Sequence, residues 1–339
     1  MVTGLGAAAP STGPVRYTVL PGESIQAAVD AARPGDTIQL YPGTYRESVL
    51  VTKADLTLRG SGRSTVIMPG PAAAAAANSC AQSGNGICVT GTAAKTVDRV
   101  TIRSLTVSGF KKNAIWASYT DRLAVRQVLA EKNGIWGIAQ QRSTRGVFRD
   151  NVARGNGDAG IFIANTVDEE GGATDTMGAL VAHNVLTGNR IGVTVRRVRN
   201  LTVRGNAMTE NCAGVFVVGD ESKPAAGAMT VSGNRISQNN KFCAATPRLP
   251  AVQGSGIVLT GSEATDVRSN QILNNVGSSP LSGGIVLFKS FVGAQNTANV
   301  IQNNQVQGNK PADLLNNGGG TDNTFHGNLC QESDPAGMC

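Results

Sequence analysis

Four short stretches constrain this chain more than any bulk property. "GIFIANT" (160–166), "GVFVVGD" (214–220), "GIVLTGS" (256–262) and "GIVLFKS" (284–290) open on glycine and place aliphatics at the second and fourth positions. Looser copies stand at "GICVTG" (86–91), "AIWAS" (114–118), "GIWGIA" (134–139) and "GVTVRR" (192–197). Between them runs a second phrase, an extended run followed by Asn and another apolar step. It reads "VFRDNVARGN" (147–156), "LVAHNVLTGN" (180–189), "LTVRGNAMTEN" (201–211), "MTVSGNRISQN" (229–239), "DVRSNQILNN" (266–275) and "VIQNNQVQGN" (300–309). The period is a little over twenty residues, stretched by insertions. Self-similarity at such a period means stacked units, none able to bury its own apolar face alone.

Short runs of β-branched residues without a helical pattern, cornered by Gly and Asn, leave one economical architecture. Each repeat is a rung of a parallel β-helix, stacked on its neighbours at ~4.8 Å. Asn tolerates the left-handed backbone of a tight bend, so Asn184, Asn206, Asn234, Asn270 and Asn304 are expected to stack as an amide ladder. At the start, Ser24 caps a short helix whose Ile25, Ala28, Val29 and Ala32 share one face, and Arg33-Pro34-Gly35 ends it. Such a helix covers the first rung, where open strand edges invite aggregation. The predicted organisation is a flexible segment 1–15 followed by one all-β solenoid domain, 16–339.

The segment "SIQAAVDAARPGDTIQLYPGTYRESVLVTKADLTLRGSG" (24–62) resembles the opening of the right-handed parallel β-helix proteins of the pectate-lyase-like superfamily. In style it is nearest the pectin methylesterases, including Gly43-x-Tyr45-x-Glu47. The resemblance covers nearly the whole chain and implies a right-handed β-helix with a capping helix. It does not imply one activity, because this scaffold carries lyases, hydrolases, esterases, epimerases and adhesins. The "DFIFG"-like and "GRPW"-like segments of the esterases, the "GHG"-like segment of the hydrolases and the "DPH"-like segment of the epimerases and lyases are absent. The family lends its fold and not its catalytic residues.

The six cysteines fall as Cys80/Cys88, Cys212/Cys243 and Cys330/Cys339, and nearest-neighbour pairing gives three disulfides. No CxxC spacing suggests zinc or redox chemistry. An oxidising, extracytoplasmic home follows as the expectation, with "MVTGLGAAAPSTGP" read as the start of a mature chain. No run of eighteen apolar residues suggests a membrane span. The net charge of +7 favours acidic or neutral partners. The basic residues look scattered along the chain, which argues against nucleic acid. A monomer is expected.

Strand alternation sends Ile161 and Ile163 inward and Phe162 outward. The same phase on every rung gives an outward row of Cys88, Trp116, Trp136, Phe162, Thr194, Phe216, Val258 and Val286. A second row is Thr90, Ser118, Ile138, Ala164, Arg196, Val218, Thr260 and Phe288. An apolar stripe on an outer face needs a cover or a partner, and the longest insertions (167–179, 220–230 and 240–255) begin at its edge. The expected substrate-binding residues are Trp116, Trp136, Phe162, Phe216 and Phe288, with Gln140 and Asn165 at the rim. The rim groups able to move protons are Tyr119, Asp168, Arg196, Asp220 and Lys289. His183 and His326 occupy corner or surface positions and are read as solvated. No metal ligands are assigned. The acidic loop "NTVDEEGGATD" (165–175) is the one place where a calcium ion comes into question, and it lacks a fixed ligand spacing.

Three functions of different classes fit. One is a carbohydrate-active protein of polysaccharide lyase or epimerase type, with aromatic rings as sugar platforms. Another is a cyclase that preorganises a hydrophobic polyketide or polyene for pericyclic ring closure in a dry pocket. The third is a non-catalytic surface or glycan-binding protein.

Overall fold

The computed structural model describes residues 13–71, 78–247, 249–318 and 320–339. Residues 1–12 of the expected flexible segment lie outside the described residues. Every repeat phrase becomes a strand, and all the paired strands are parallel. One eleven-stranded sheet stacks the glycine phrases, from Val49–Val51 and Ile87–Thr90 through Ile115–Ser118, Ile138–Gln141, Ala159–Ala164, Ile191–Arg196, Ala213–Val218, Ser255–Thr260 and Gly283–Phe288 to Leu314–Asn316 and Ser333–Asp334. The asparagine phrases form the two remaining faces, for example Val147–Arg149 and Val152–Arg154, joined through one continuous sheet.

The opening glycines are demanded by space. A Cβ on Gly214 would lie 2.7 Å from the carbonyl oxygen of Gly256, and one on Gly256 would lie 2.2 Å from that of Gly284. Backbone from the next rung fills the place where any other residue carries a side chain. Behind the glycines run single-residue columns of core. Ile87, Ile115, Ile138, Ile161, Val193, Val215, Ile257 and Ile285 follow one another in register and are all fully buried.

The asparagine ladder is present. Asn184 donates its backbone and side-chain N–H groups to Asn206 Oδ1, each at 2.9 Å, and Asn206 does the same to Asn234 at 3.0 Å. A second ladder, through Asn156, Asn189, Asn211, Asn239, Asn275 and Asn309, holds the next corner. Its members are the closing Asn of the same sequence phrases. At the N-terminal end the helix Ile25–Ala31 has Ser24 as N-cap, and Ile25 and Val29 are buried. The Gly-x-Tyr-x-Glu motif serves this cap. Glu47 accepts from the backbone N–H groups of Ile25 (2.7 Å) and Gln26 (3.0 Å), placing a carboxylate at the helix start. Tyr45 is buried and donates its hydroxyl to Val19 O or Tyr41 O, both at 2.9 Å.

All three nearest-neighbour disulfides form: Cys80–Cys88, Cys212–Cys243 and Cys330–Cys339. No helix among the described residues is long and apolar enough to cross a membrane.

Candidate functional site

The outer face of the eleven-stranded sheet carries its own apolar cluster, separate from the core and partly roofed by insertions. Val258 and Val286 are fully covered. Where the roof ends, a half-open cleft of about 700 Å³ remains. Phe162, Thr194 and Phe216 lie side by side on consecutive rungs of its floor. Trp136 stacks on Phe162 with ring centroids 4.2 Å apart and planes 10° apart. Trp116 continues the stack beyond it, 5.9 Å from Trp136.

The expected position of Trp136 needs correction. The rung is set by Gly137 rather than Gly134, so Ile138 pairs with Ile115 and Ile161 and points into the core. Ala139 takes the outward place that was expected for Trp136, and Gln141 takes that of Ile138. Trp136 sits in the bend just before the strand and Ile135 is only half-buried. From that bend the indole still reaches the outer face, because its N–H finds a carboxylate there. The same shift overturns Gln140 as a rim residue. It stands in the inward column between Ala117 and Ile163, is 1 % exposed, and its Oε1 has no hydrogen-bond partner.

Two residues in the bend before a strand build one wall. The Trp136 indole donates to Asp158 Oδ2 at 3.0 Å. Burial pushes the Asp158 carboxyl above the ordinary aspartate value, while the indole N–H and the charge of Arg190 partly offset the shift. Arg190 follows on the next rung, its backbone N–H bonded to Asp158 O at 2.9 Å. Its guanidinium donates to Ala244 O at 2.8 Å, in the insertion that adds Thr246 and Leu249 to the wall. Cys212–Cys243 ties that insertion to its rung. Replacing both cysteines with serine removes a closure worth about 3–4 kcal/mol in the chain-entropy account. The expected result is faster amide exchange around Cys243 with the asparagine ladders still protected; slowed or unchanged exchange there contradicts this role.

The opposite wall is the acidic loop. Asn165 holds it in shape by donating to Gly171 O (3.0 Å) and Gly172 O (3.1 Å), so it builds the wall and its amide is not offered to a ligand. Arg196 donates to Thr166 O and Val167 O, and buried Arg197 pairs with Glu170 and Asp220. Asp168, Arg196 and Asp220 line the cleft, with Asp220 already paired to Arg197. Tyr119 and Lys289 do not line it. Tyr119 lies past its strand at a left-handed corner, its hydroxyl bound by Arg142, and Lys289 is exposed beyond the strand end. Phe288 packs on Phe291 at 5.3 Å, and Phe291 rather than Phe288 lines the far end.

Asp158, Arg190 and Phe291 were not among the expected site residues. Asp158 and Arg190 each stand two residues before the opening glycine of their rung, a column that alignment on the strands alone leaves out. Thr194 lies in the expected outward row without having been assigned a role. It is 7 % exposed and its hydroxyl has no partner, on the floor between two phenylalanines.

With the rungs and cleft defined, comparison with known proteins bears first on the fold. The family model described as "Right handed beta helix region" matches residues 54–225, half of the chain. The chain belongs to the right-handed β-helix family. A second model, "Periplasmic copper-binding protein (NosD)", matches residues 164–334 of this β-helix protein. No curated protein sequence matches it. Among solved structures, the A-module of the Azotobacter vinelandii mannuronan C-5 epimerase AlgE6 is similar with a TM-score of 0.56 and 19 % identity, over 90 % of this chain and 88 % of that one. The periplasmic alginate epimerase AlgG gives 0.58 and 13 % identity, over 95 % of this chain and 69 % of that one. The alginate lyase of Paenibacillus sp. str. FPU-7 gives 0.58 and 13 %, over 93 % and 99 %. At these identities the likeness is one of fold.

The residues present do not fit copper. Among the described residues no three His, Cys, Asp or Glu side chains converge as a metal-binding group, every cysteine is in a disulfide, and both histidines are exposed. The acids of the 165–175 loop are likewise dispersed. Glu169 pairs with Arg142, Glu170 with Arg197, and Asp175 accepts from Met177 N and Asn200 Nδ2.

Proposed function

We propose that this β-helix protein acts on an anionic, uronate-containing polysaccharide in an extracytoplasmic setting, by proton transfer of the lyase or epimerase type. The observation that carries the reading is the Trp116–Trp136–Phe162 stack joined to Asp158 at the edge of a half-open cleft. Flat rings in a row offer platforms for pyranose faces. Arg190 makes hydrogen bonds to two neutral carbonyls and, among the described residues, no ion pair, so its positive charge is available to a uronate carboxylate. Neutralising that carboxylate acidifies the adjacent C–H. Asp158 as carboxylate then takes the proton. Return of a proton to the opposite face inverts the carbon. Loss of the neighbouring C–O bond instead forms a C=C bond and cleaves the chain, the leaving oxygen taking up a proton.

The solved alginate epimerases and lyase of the same fold support a polysaccharide substrate, and the disulfides support an oxidising compartment. Ring closure in a dry enclosure finds less support, since the cleft is open and rimmed by Asp158, Asp168, Glu170, Arg190 and Arg196.

The test is incubation of the full chain with alginate and polygalacturonate in deuterated water. An ultraviolet-absorbing unsaturated end group reports elimination, and deuterium at the uronate carbon without cleavage reports epimerisation. Neither signal on any uronate polymer overturns the reading. Arg190→Gln is expected to raise KM for the uronate polymer about tenfold or more, the worth of one charge-assisted hydrogen bond, and to leave binding of neutral glycans unchanged.

A further inference from the structure

Arginines that look scattered in the sequence become a column in space. On the face that follows the cleft sheet in each rung, Arg59 pairs in register with Arg103, Arg103 with Arg126, and Arg126 with Arg149. Their neighbours Leu58, Ile102, Val125 and Phe148 are buried, so alternation turns the arginines outward. Arg204 and Arg268 occupy the same column farther along. Arg149 is neutralised by Asp150 and Arg268 by Asp266. Among the described residues, no carboxylate lies within ion-pair distance of Arg59, Arg103 or Arg126. Arg103, between the other two, has a buried Nε with no hydrogen-bond partner.

Like charges directly opposite each other on paired strands are destabilising, so three in succession without counter-ions call for an external anion. We propose that this column is a binding surface for an extended anionic polysaccharide, separate from the cleft. The guanidiniums recur once per strand spacing, ~4.8 Å, which suits a linear polymer carrying one anionic group per linked sugar. Single-stranded nucleic acids take positive grooves with aromatic stacking platforms. Here the companion outward row is Thr57, Thr101, Ala124 and Val147, without a ring.

The probe is a size-fractionated dextran sulfate, which has no uronate carboxyl for the cleft, with oligothymidylate as the nucleic-acid arm. Replacing Arg59, Arg103 and Arg126 together by Gln is expected to weaken dextran sulfate binding at least tenfold at low salt and to flatten its salt dependence. The melting temperature should stay equal or rise, because repulsion is relieved. The corresponding triple Lys variant, which keeps the charge, should retain most of the binding. Unchanged dextran sulfate affinity in the Gln variant overturns the proposal, as does tighter, arginine-dependent binding of oligothymidylate. Turnover of short uronate oligomers is read separately, so failure of either site leaves the other reading standing.

Discussion

Replacing Asp158 with Asn is expected to lower kcat on a uronate polymer by a factor of about 10²–10⁴, the usual contribution of a positioned acid or base. The amide keeps an oxygen to accept the Trp136 indole N–H, so the stack should survive and KM should change little. The pH profile tests the same group. Asp158 acts as a base only when ionised, and burial raises its pKa above the ordinary aspartate value. In the wild type kcat/KM should therefore rise with pH through a midpoint above the ordinary aspartate value. Stability runs the other way. Between the unfolded and the raised folded pKa the native chain holds a proton that the unfolded chain has released, so this contribution is full below the unfolded value and is lost as pH rises through the folded one. Asp158→Asn should thus melt no lower than wild type near neutral pH. A variant that melts early and keeps its turnover would assign Asp158 to structure alone.

Asn206→Ala is expected to produce the largest loss of stability of any single change considered. The side chain accepts from Asn184 N and Nδ2, and donates to Val181 O and Asn234 Oδ1. Truncation leaves several buried partners unsatisfied at about 1–3 kcal/mol each, so a loss of roughly 4 kcal/mol or more is expected in denaturant titration. Because repeats couple mainly to their neighbours, amide exchange should accelerate first in the rungs on either side of Asn206. A loss below about 1 kcal/mol would mean that water replaces the ladder bonds. The disulfide pair Cys212–Cys243 offers a contrast, since its removal should loosen a cleft wall and spare the solenoid.

The architecture was legible because each rung repeats the same local solution. Gly214 and Gly256 are opening glycines since a neighbouring carbonyl excludes any Cβ, and Asn206 is an Asn since one side chain must satisfy the rungs above and below. Requirements of that kind return every turn and print a period into the sequence. The capping helix, the core columns and the disulfide pairs are local in the same sense.

The site followed different rules. Two candidate opening glycines, Gly134 and Gly137, stand three residues apart, and only stacking against Ile115 and Ile161 selects the second. That choice sends Gln140 inward and lifts Trp136 into the bend, where Asp158 receives its indole N–H. Residues in bends have no alternation to betray their direction, so Asp158 and Arg190 carried no signal that strand alignment could detect. The arginine column was equally hidden, because Arg59 and Arg103 are far apart along the chain and adjacent only once their strands pair. Sequence alone determined the rung, since period and backbone sterics act within a repeat. Tertiary structure decided the cleft and the charged face, because both depend on which insertion folds over which rung and on the register between rungs.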